Sequence, residues 1–300
     1  MRMITKAATL SSDAIILDLE DAVPIPDKAT ARIMVRDSIK GIKDAGSYVF
    51  VRLNALTTRL TSQDLAFITV PGLDGVMLAK TETNSDVAKL SDMLAKAETV
   101  SGIDPENLKI VPLIESAKGV VNAYEIASAD ARVIAVAFGA GDYYRDLGRS
   151  VSYLTREQIE LLYARSKIVN ASVAAGVQAI DTVFFGLLTD REGFIKETQL
   201  ALQLGFKGKL LIHPSQIKEA NEIFSPPLEE VEYSKRVVSV FEEAQTRGLG
   251  VISFEGKMID EMNYKQAKDV VSFDKLIAEK EKKRQQASYI SISQFFISTA

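Results

Sequence analysis

Residues 133–142 have the sequence VIAVAFGAGD, an apolar run of six residues that leads into two glycines and an aspartate. A short run that is hydrophobic on both faces is typical of a strand in a parallel sheet covered on both sides. Six more runs of this character are separated by amphipathic stretches of helical period: Ala14–Leu19, Tyr48–Leu53, Gly75–Ala79, Ile110–Ile114, Ala179–Phe185 and Lys209–Ile212. The alternation predicts an α/β fold with right-handed crossovers.

The expected architecture is a TIM-type (β/α)8 barrel over residues 1–225. Such a barrel takes about 250 residues, which fits within the 300 of this chain. Only seven strand-like runs are present, whereas a barrel of this class has eight strands. We therefore expect the first strand to be missing from the sequence.

Composition excludes several classes of protein. There is no cysteine, and His213 is the only histidine, so thiolate-zinc sites, cysteine nucleophiles and multi-histidine metal sites are impossible. The net charge of −4 gives no nucleic-acid footprint. Neither a signal-peptide pattern nor a membrane-length apolar run is present, so we expect a cytoplasmic protein that binds no membrane.

The character of the chain changes after Pro226-Pro227. Leu228–Arg247 has the pattern of one long helix, and Asn263–Glu281 has that of another. We expect residues 226–287 to form a C-terminal helical lid. Residues 288–300 alternate apolar and polar side chains, which indicates a disordered tail or a strand.

Polar clusters follow the predicted strands. They are Asp18-Leu19-Glu20-Asp21, Arg52-Leu53-Asn54, Lys80, Glu115-Ser116, Gly139–Asp142 and His213-Pro214. In a parallel barrel the carboxyl ends of the strands gather around one mouth, where catalysis takes place. Carboxylates, an arginine and a lysine are thus expected to converge from distant parts of the sequence.

Glu115 and Asp142 are the candidate metal ligands. They follow neighbouring predicted strands, and two carboxylates without sulfur or imidazole suit Mg²⁺, which takes its other ligands from water and substrate. On spacing alone the alternative has equal weight: Glu115 caps the helix that begins at Ser116, and Asp142 caps the next loop.

The other polar residues admit two interpretations each. Arg52 suits a carboxylate or a developing enolate oxygen, or a salt bridge to Glu20 and Asp21. The backbone around Gly141 suits an anion, although glycine-rich turns are common. His213 is favoured as a structural strand-end residue, and Asp260 as a helix cap.

Five of these motifs resemble those of the citrate lyase beta-subunit-like proteins, within the HpcH/HpaI aldolase and malyl-CoA lyase group. The resemblance covers residues 6–271 and follows the same order along the chain. The motifs are Asp18–Val23, Arg52-Leu53-Asn54, Pro112–Ser116, Phe138–Asp142 and Ile212–Ile217. The Arg-Ser…Pro-Gly strand that usually opens the family is absent, and we consider whether Ser288–Thr299 fills its place.

The resemblance implies a magnesium-dependent lyase. It implies that Glu115 and Asp142 hold the metal and that Arg52 contacts the thioester carbonyl and the enolate. The Gly-Lys-Met-Ile-Asp segment resembles the malyl-CoA lyase lid, whose aspartate, here Asp260, acts as acid/base in a neighbouring subunit. That implies a homotrimer or homohexamer.

The complete predicted site extends beyond these residues. Its catalytic members are Arg52, Asp260, Glu20 and Asp21; its substrate-binding members are Arg52, Lys80, Gly141, Pro112 and His213; and its metal ligands are Glu115 and Asp142. Lys80 and Glu20 are expected to orient the arginine and the metal-bound waters.

The expected reaction is cleavage of a 3-hydroxyacyl thioester of the citryl-, malyl- or citramalyl-CoA type to a keto acid and acetyl-CoA. The acyl carrier is CoA or an acyl carrier protein. Three alternatives stay open: malate-synthase-like condensation with thioester hydrolysis, an aldolase acting on free keto acids, and a non-catalytic subunit of a citrate lyase complex.

Overall fold

The structure is a computed structural model that describes residues 2–297, apart from the side chains of residues 2, 5 and 285–297. The chain divides into two compact units, Met1–Asn221 and Glu222–Ala300. Among the described residues, no helix combines the length and the apolar character that a bilayer-crossing segment requires.

The first unit is built on seven parallel strands that lie in the sheet in the order of the sequence. The strands are β1 Ala14–Asp18, β2 Tyr48–Leu53, β3 Gly75–Leu78, β4 Lys109–Ile114, β5 Ala135–Phe138, β6 Gln178–Asp181 and β7 Gly208–Lys209. Each of the seven predicted runs overlaps one of these strands. The last two strands are shorter than predicted, because the chain leaves the sheet soon after Asp181 and Lys209.

Helices connect the strands. They are α1 Arg2–Ala7, α2 Lys28–Asp44, α3 Thr61–Ile68, α4 Asn84–Ser101, α5 Ala117–Val121, α6 Ala123–Ala127, α7 Ala140–Asp146, α8 Leu162–Ala175, α9 Arg191–Leu204 and α10 Ile217–Phe224. Local sequence explains several ends: Thr83 and Asp86 form a capping box before α4, and Gly102 ends that helix at a φ of 66°.

One predicted helix begins later than its sequence indicates. We expect a helix from Thr155, whereas α8 begins at Leu162. Gln158 adopts a left-handed φ of 48°, and its amide binds Glu197 and Arg165 at 2.5 and 2.8 Å. These contacts with distant residues override the local helical pattern.

The sheet is curled, with one face forming the inner core. Alternate residues of β2 to β5 pack into one apolar cluster, which Ile180 and Leu210 extend towards β7: Phe50, Met77, Val111, Leu113, Ala135 and Ala137. At the two edges, Asn221 Nδ2 of α10 donates to the Ser11 carbonyl before β1 at 2.9 Å. The segments that flank the first and last strands therefore meet.

The predicted closed eight-stranded barrel is wrong in one respect. Within the described residues β1 and β7 are not paired with each other, and the sheet is an open, seven-stranded partial barrel. Arg2–Ala7 forms helix α1 and supplies no strand.

The second unit contains two long helices and a hairpin. They are α11 Leu228–Thr246, β8 Ile252–Phe254, β9 Lys257–Ile259 and α12 Glu261–Ile297. The rings of Phe241 and Tyr264 stack at 4.9 Å between centroids and join the two helices in a small core.

Two features of this unit differ from the expectation. The hairpin was not predicted; its signal is the two-residue turn Glu255-Gly256, where both φ angles are positive. The predicted disordered tail or strand is helical through Ile297, because neither proline nor glycine interrupts residues 285–297. Residues 288–297 therefore do not occupy an eighth strand position, and residues 298–300 lie outside the described part of the chain.

Candidate active site

An ion pair joins the carboxyl ends of β1 and β2. Asp18 and Arg52 are register partners, so their side chains lie on the same face of the sheet. Nε and Nη2 of Arg52 donate to the two Asp18 carboxylate oxygens at 2.7 and 2.5 Å, and Nη1 lies 3.4 Å from Glu20. Burial alone would lower the pKa of Arg52 and raise that of Asp18. The ion pair outweighs burial, so the pKa of Arg52 is raised and that of Asp18 is lowered.

The end of β2, where Arg52 lies, is fixed by a buried ion pair between α2 and α3. Asp64 of α3 is fully buried and accepts from both the backbone N–H and the side-chain amide of Asn54, at 3.0 and 2.8 Å. Arg32 of α2 donates to the same carboxylate at 2.7 Å. The asparagine of the Arg-x-Asn motif thus anchors the end of β2.

A buried lysine holds the segment that follows β1. Nζ of Lys28, only 7% exposed, donates to the backbone carbonyls of Leu19 and Glu20 at 2.5 and 2.7 Å. The positive charge therefore lies directly beneath the acidic Asp18–Asp21 segment. This contact fixes the backbone from which Glu20 projects.

Lys80 links two of the carboxylates. It follows β3 in a left-handed conformation with a φ of 54°, which costs a non-glycine residue about 1–3 kcal/mol. Its backbone N–H donates to Oε1 of Glu115 at 2.7 Å, while Nζ binds Glu20 and lies 3.4 Å from Asp21. Burial lowers the pKa of Lys80, but the Glu20 and Asp21 carboxylates raise it by more.

Glu115 follows β4 and is only 5% exposed. A β-carbon at position 139 would lie 2.7 Å from Oε2 of Glu115, so only glycine leaves room for this carboxylate beside the end of β5. Burial raises the pKa of Glu115 to about 7; the Lys80 N–H opposes that shift, and the negative charges of Glu20 and Asp142 add to it. The carboxylate thus lies buried among other anions.

Asp142 lies in the first turn of α7, directly after β5. Oδ1 is 3.1 Å from Nη2 of Arg145, and the negative charge of Asp142 adds to the burial that raises the pKa of Glu115. At the start of the same turn, the Ala140 N–H donates to Thr182 Oγ1 after β6 at 3.1 Å. The Ala140 N–H is therefore used within the protein, while anion binding by the backbone around Gly141 stays a prediction.

The structure thus brings seven charged side chains together at the carboxyl ends of β1 to β5, here called the mouth cluster. Its members are Asp18, Glu20, Asp21, Arg52, Lys80, Glu115 and Asp142. Asp18 belongs to one of the five motifs but was not predicted as a site residue. The parallel register of β1 and β2 indicates its pairing with Arg52. Of the two carboxylates expected to pair with Arg52, Glu20 lies 3.4 Å from it, whereas Asp21 contacts Lys80 instead.

Three of the predicted substrate-binding residues, Gly141, Pro112 and His213, lie in surroundings that differ from those of the mouth cluster. Gly141 lies against the Phe185 ring, and a β-carbon at position 141 would be 3.2 Å from the nearest ring carbon. Pro112 is buried on the opposite face of β4 from Leu113 and Glu115, because strand side chains alternate. The structure therefore does not bring Pro112 to the mouth cluster.

His213 has a structural role. Its Nδ1 accepts the Ser215 N–H at 3.3 Å and caps the short helical turn that begins at Pro214. In the described structure no hydrogen bond joins it to the mouth cluster.

The helix-cap interpretations have different outcomes. Asp260, in the second unit, accepts the Met262 and Asn263 N–H groups at 2.9 and 3.0 Å at the start of α12, which confirms the cap. Glu115 is not a cap, because the Ser116 hydroxyl accepts the Gly119 N–H before α5. Asp142 lies within α7 and does not cap a loop.

The donor chemistry of the mouth cluster fits a hard divalent cation. Glu115 and Asp142 offer carboxylate oxygens, and their mutual repulsion is the condition that a bound cation relieves. Among the described residues, no three His, Cys, Asp or Glu side chains are placed so that they could hold one metal ion by themselves. Mg²⁺ needs only one or two carboxylates, because it keeps several waters and binds substrate oxygens.

Comparison with known proteins gives the family. Residues 1–214 match the HpcH/HpaI aldolase/citrate lyase family. The chain belongs to this family. It is 40% identical over 258 residues to the citrate lyase subunit beta of Leuconostoc mesenteroides subsp. cremoris, covering 86% of this chain and 84% of the relative.

Two other relatives carry different names. The mitochondrial citramalyl-CoA lyase of Homo sapiens is 29% identical over 289 residues, covering 93% of this chain and 84% of the relative. The (3S)-malyl-CoA thioesterase of Cereibacter sphaeroides is 30% identical over 277 residues, with 92% of each chain covered.

Solved structures agree with the fold and the family. CitE of Mycobacterium tuberculosis, in complex with magnesium, acetoacetate and coenzyme A, matches with a TM-score of 0.69 at 29% identity, covering 90% of this chain and 92% of that one. A citrate lyase from Burkholderia xenovorans LB400 matches with a TM-score of 0.77 at 18% identity, over 88% and 84% of the two chains, which is a likeness of fold alone.

Proposed function

We propose that this protein is a magnesium-dependent carbon–carbon lyase. Its substrate would be a 3-hydroxyacyl thioester of the citryl-, malyl- or citramalyl-CoA type, which it cleaves to a keto acid and acetyl-CoA. The observation that carries the proposal is the surplus of carboxylates around buried Glu115, next to the fixed guanidinium of Arg52. The magnesium, acetoacetate and coenzyme A bound to the M. tuberculosis neighbour support the ion and the substrate class.

Glu115 and Asp142 are the residues that would hold the ion. A bound Mg²⁺ would polarise the hydroxyl oxygen of the substrate, so that the hydroxyl proton is lost to solvent more readily as the keto group forms. Gly139 keeps Glu115 in position, and the Lys80 N–H orients one of its oxygens.

Arg52 would stabilise the negative charge that develops on the thioester oxygen when the carbon–carbon bond breaks. Asp18 holds its guanidinium through two hydrogen bonds, so little reorganisation is needed as the enolate forms. Glu20 and Asp21 would assist by holding Lys80 and by neutralising the two cations.

Asp260 would act as the acid that protonates the enolate carbon, completing acetyl-CoA, and as the base in the reverse reaction. The support for this role is the resemblance of its segment to the malyl-CoA lyase lid. In such relatives the lid acts on a neighbouring subunit, so the proposal includes a homotrimer or homohexamer.

Product analysis on three thioesters tests the activity. Citryl-CoA, malyl-CoA and citramalyl-CoA are each incubated with the protein, with and without Mg²⁺, and acetyl-CoA, keto acid and free CoA are measured. A lyase gives acetyl-CoA and keto acid in equal amounts, only with Mg²⁺. Absence of acetyl-CoA from all three would contradict the proposal, and cleavage of a free hydroxy-keto acid would indicate the aldolase instead.

The second candidate is a thioesterase on the same site, which the malyl-CoA thioesterase relative favours. Hydrolysis releases free CoA and leaves the hydroxy acid intact. Free CoA without acetyl-CoA in the same assay would therefore select this candidate. Glu125→Gln, which changes an exposed carboxylate on α6, is the matched control for variants of Glu115 in either assay.

A further inference from the structure

We infer that Thr182 is a positioning residue for the metal site, acting through the first turn of α7; this rests on the proposed function. Thr182 directly follows β6, is 1% exposed, and accepts the Ala140 N–H through Oγ1 at 3.1 Å. Asp142 lies two residues beyond Ala140 in the same turn. The threonine hydroxyl therefore sets where the turn that carries Asp142 begins.

The turn has no side chain of its own for this purpose. Its N-cap residue is Gly139, which offers no capping oxygen and must remain glycine to leave room for Glu115. The Gly139 N–H donates to the Ile114 carbonyl at 2.8 Å, which ties the turn to β4. Thr182 supplies the tie on the other side, so the turn is fixed from both neighbouring strands.

Thr182 is itself rigidly held. The preceding residue, Asp181, accepts from Nε and Nη2 of Arg165 at 2.9 and 3.2 Å and from Lys209 at 2.8 Å. Lys209 also donates to Glu197 at 2.6 Å. These four residues, here called the buried cluster, have side chains that are 0–5% exposed.

The buried cluster therefore does more than stabilise the fold. It joins β6 to α8, α9 and β7, and so holds the strand end from which Thr182 reaches the first turn of α7. A residue that orients a metal ligand through one hydrogen bond typically changes metal affinity by about 10–100-fold when that bond is lost. We expect the lower end of this range, because Thr182 acts on the backbone and not on the carboxylate.

Calorimetric titration with Mg²⁺ tests the inference. Thr182→Val keeps the shape and removes the acceptor oxygen, and should weaken Mg²⁺ binding about tenfold. Thr182→Ser restores the oxygen and should bind within about twofold of the unmodified protein. Thr198→Val is the matched control, because it deletes another buried threonine hydroxyl, which binds the Phe194 carbonyl within α9.

Turnover provides a second readout. In Thr182→Val, a high Mg²⁺ concentration should restore most of the lost rate, because the chemical groups are intact and only the ion is held less well. Thermal unfolding of each variant identifies any loss of fold, and Thr182→Ala, which removes the same oxygen without adding a methyl group, replaces the valine variant if that one does not fold.

The outcomes separate the two proposals. If the unmodified protein binds no Mg²⁺, the proposed function fails. If it binds Mg²⁺ and Thr182→Val binds as tightly as Thr198→Val, only the positioning role is refuted. Weak binding by Thr182→Ser as well as Thr182→Val would also refute it, because the acceptor oxygen would then not be the cause.

Discussion

The mouth cluster and the buried cluster use the same residue types in the same sheet-containing unit, but their charges balance differently. The buried cluster has two carboxylates and two cations, and its pairs lie 2.6–3.4 Å apart. Burial would raise the pKa of Asp181, but Lys209 and Arg165 lower it below its ordinary value. Every charge there has a partner, as a structural network requires.

The mouth cluster has more anions than cations. Asp18, Glu20, Asp21, Glu115 and Asp142 share Arg52 and Lys80, and Arg145 adds a largely exposed cation beside Asp142. Here burial raises the pKa of Glu115 to about 7. The pKa of Asp181 in the buried cluster shifts in the opposite direction. A bound cation would stabilise the ionised form of a carboxylate in such surroundings, which is why Glu115 is the first ligand of the proposed metal site.

The largest expected effect comes from a ligand of the proposed ion. Glu115→Gln keeps the size of the side chain and an acceptor for the Lys80 N–H, but removes the charge. We expect Mg²⁺-dependent turnover to fall by about 10³-fold or more, since metal polarisation supplies several kcal/mol of transition-state stabilisation. Steady-state kinetics compares Glu115→Gln with the control Glu125→Gln. Full turnover in Glu115→Gln would show that Glu115 is not a ligand of the metal.

A substitution in the buried cluster should lower the free energy of unfolding. Lys209→Met leaves two carboxylates with only Arg165, and we expect a loss of about 3–5 kcal/mol in the free energy of unfolding. Lys196→Met, which breaks an exposed pair with Glu192, should cost about 0.5 kcal/mol or less. Denaturant unfolding measures both, and equal effects would show that the buried cluster stabilises the fold no more than an exposed ion pair does.

Arg52 distinguishes charge from geometry within the mouth cluster. Arg52→Lys retains the positive charge but loses the two-pronged contact with Asp18. We expect turnover to fall about 10²-fold, because the enolate oxygen loses an oriented donor. Mg²⁺ affinity in calorimetry should stay unchanged, as in the control Arg36→Lys at an exposed pair; a large loss of Mg²⁺ affinity would argue for a different role.

The smallest effect concerns a balanced pair elsewhere in the unit. Burial raises the pKa of Glu98, but hydrogen bonds from Arg132 and from two backbone N–H groups lower it below its ordinary value of 4.5. A lowered folded-state pKa means that the pair stabilises the protein above about pH 4.5 and loses this contribution as the pH falls through that lowered value.

Unfolding of the unmodified protein and of Glu98→Gln between pH 3 and pH 7 measures that contribution. The two stability curves should lie furthest apart at neutral pH and approach each other towards pH 3. A constant separation across this range would show that ionisation of Glu98 does not stabilise the fold.

The features predicted correctly from the sequence are those that depend on short-range pattern. The strands are continuous apolar runs, and parallel strands bring their carboxyl ends to one edge, so Glu115, Asp142 and Arg52 could be expected together. Glu115 and Asp142 follow the paired strands β4 and β5, and Gly139, three residues before Asp142, lies directly against Glu115.

Other features depend on contacts between distant residues and could not be predicted. Arg165 looks like an exposed helical arginine in the sequence, yet its side chain is fully buried because Asp181, 16 positions away, accepts from it. Gln158 has a helix-forming sequence around it and a left-handed backbone in the structure. The role of Thr182 depends on which strand end lies beside α7, which only the fold reveals.

A crystal structure of the protein with Mg²⁺ and a keto acid tests the central claim most directly. We predict one ion whose ligands include an oxygen of Glu115 and an oxygen of Asp142, each at about 2.0–2.1 Å, with the keto acid next to the Arg52 guanidinium. An ion bound elsewhere, or held by only one of these two carboxylates, would contradict the account.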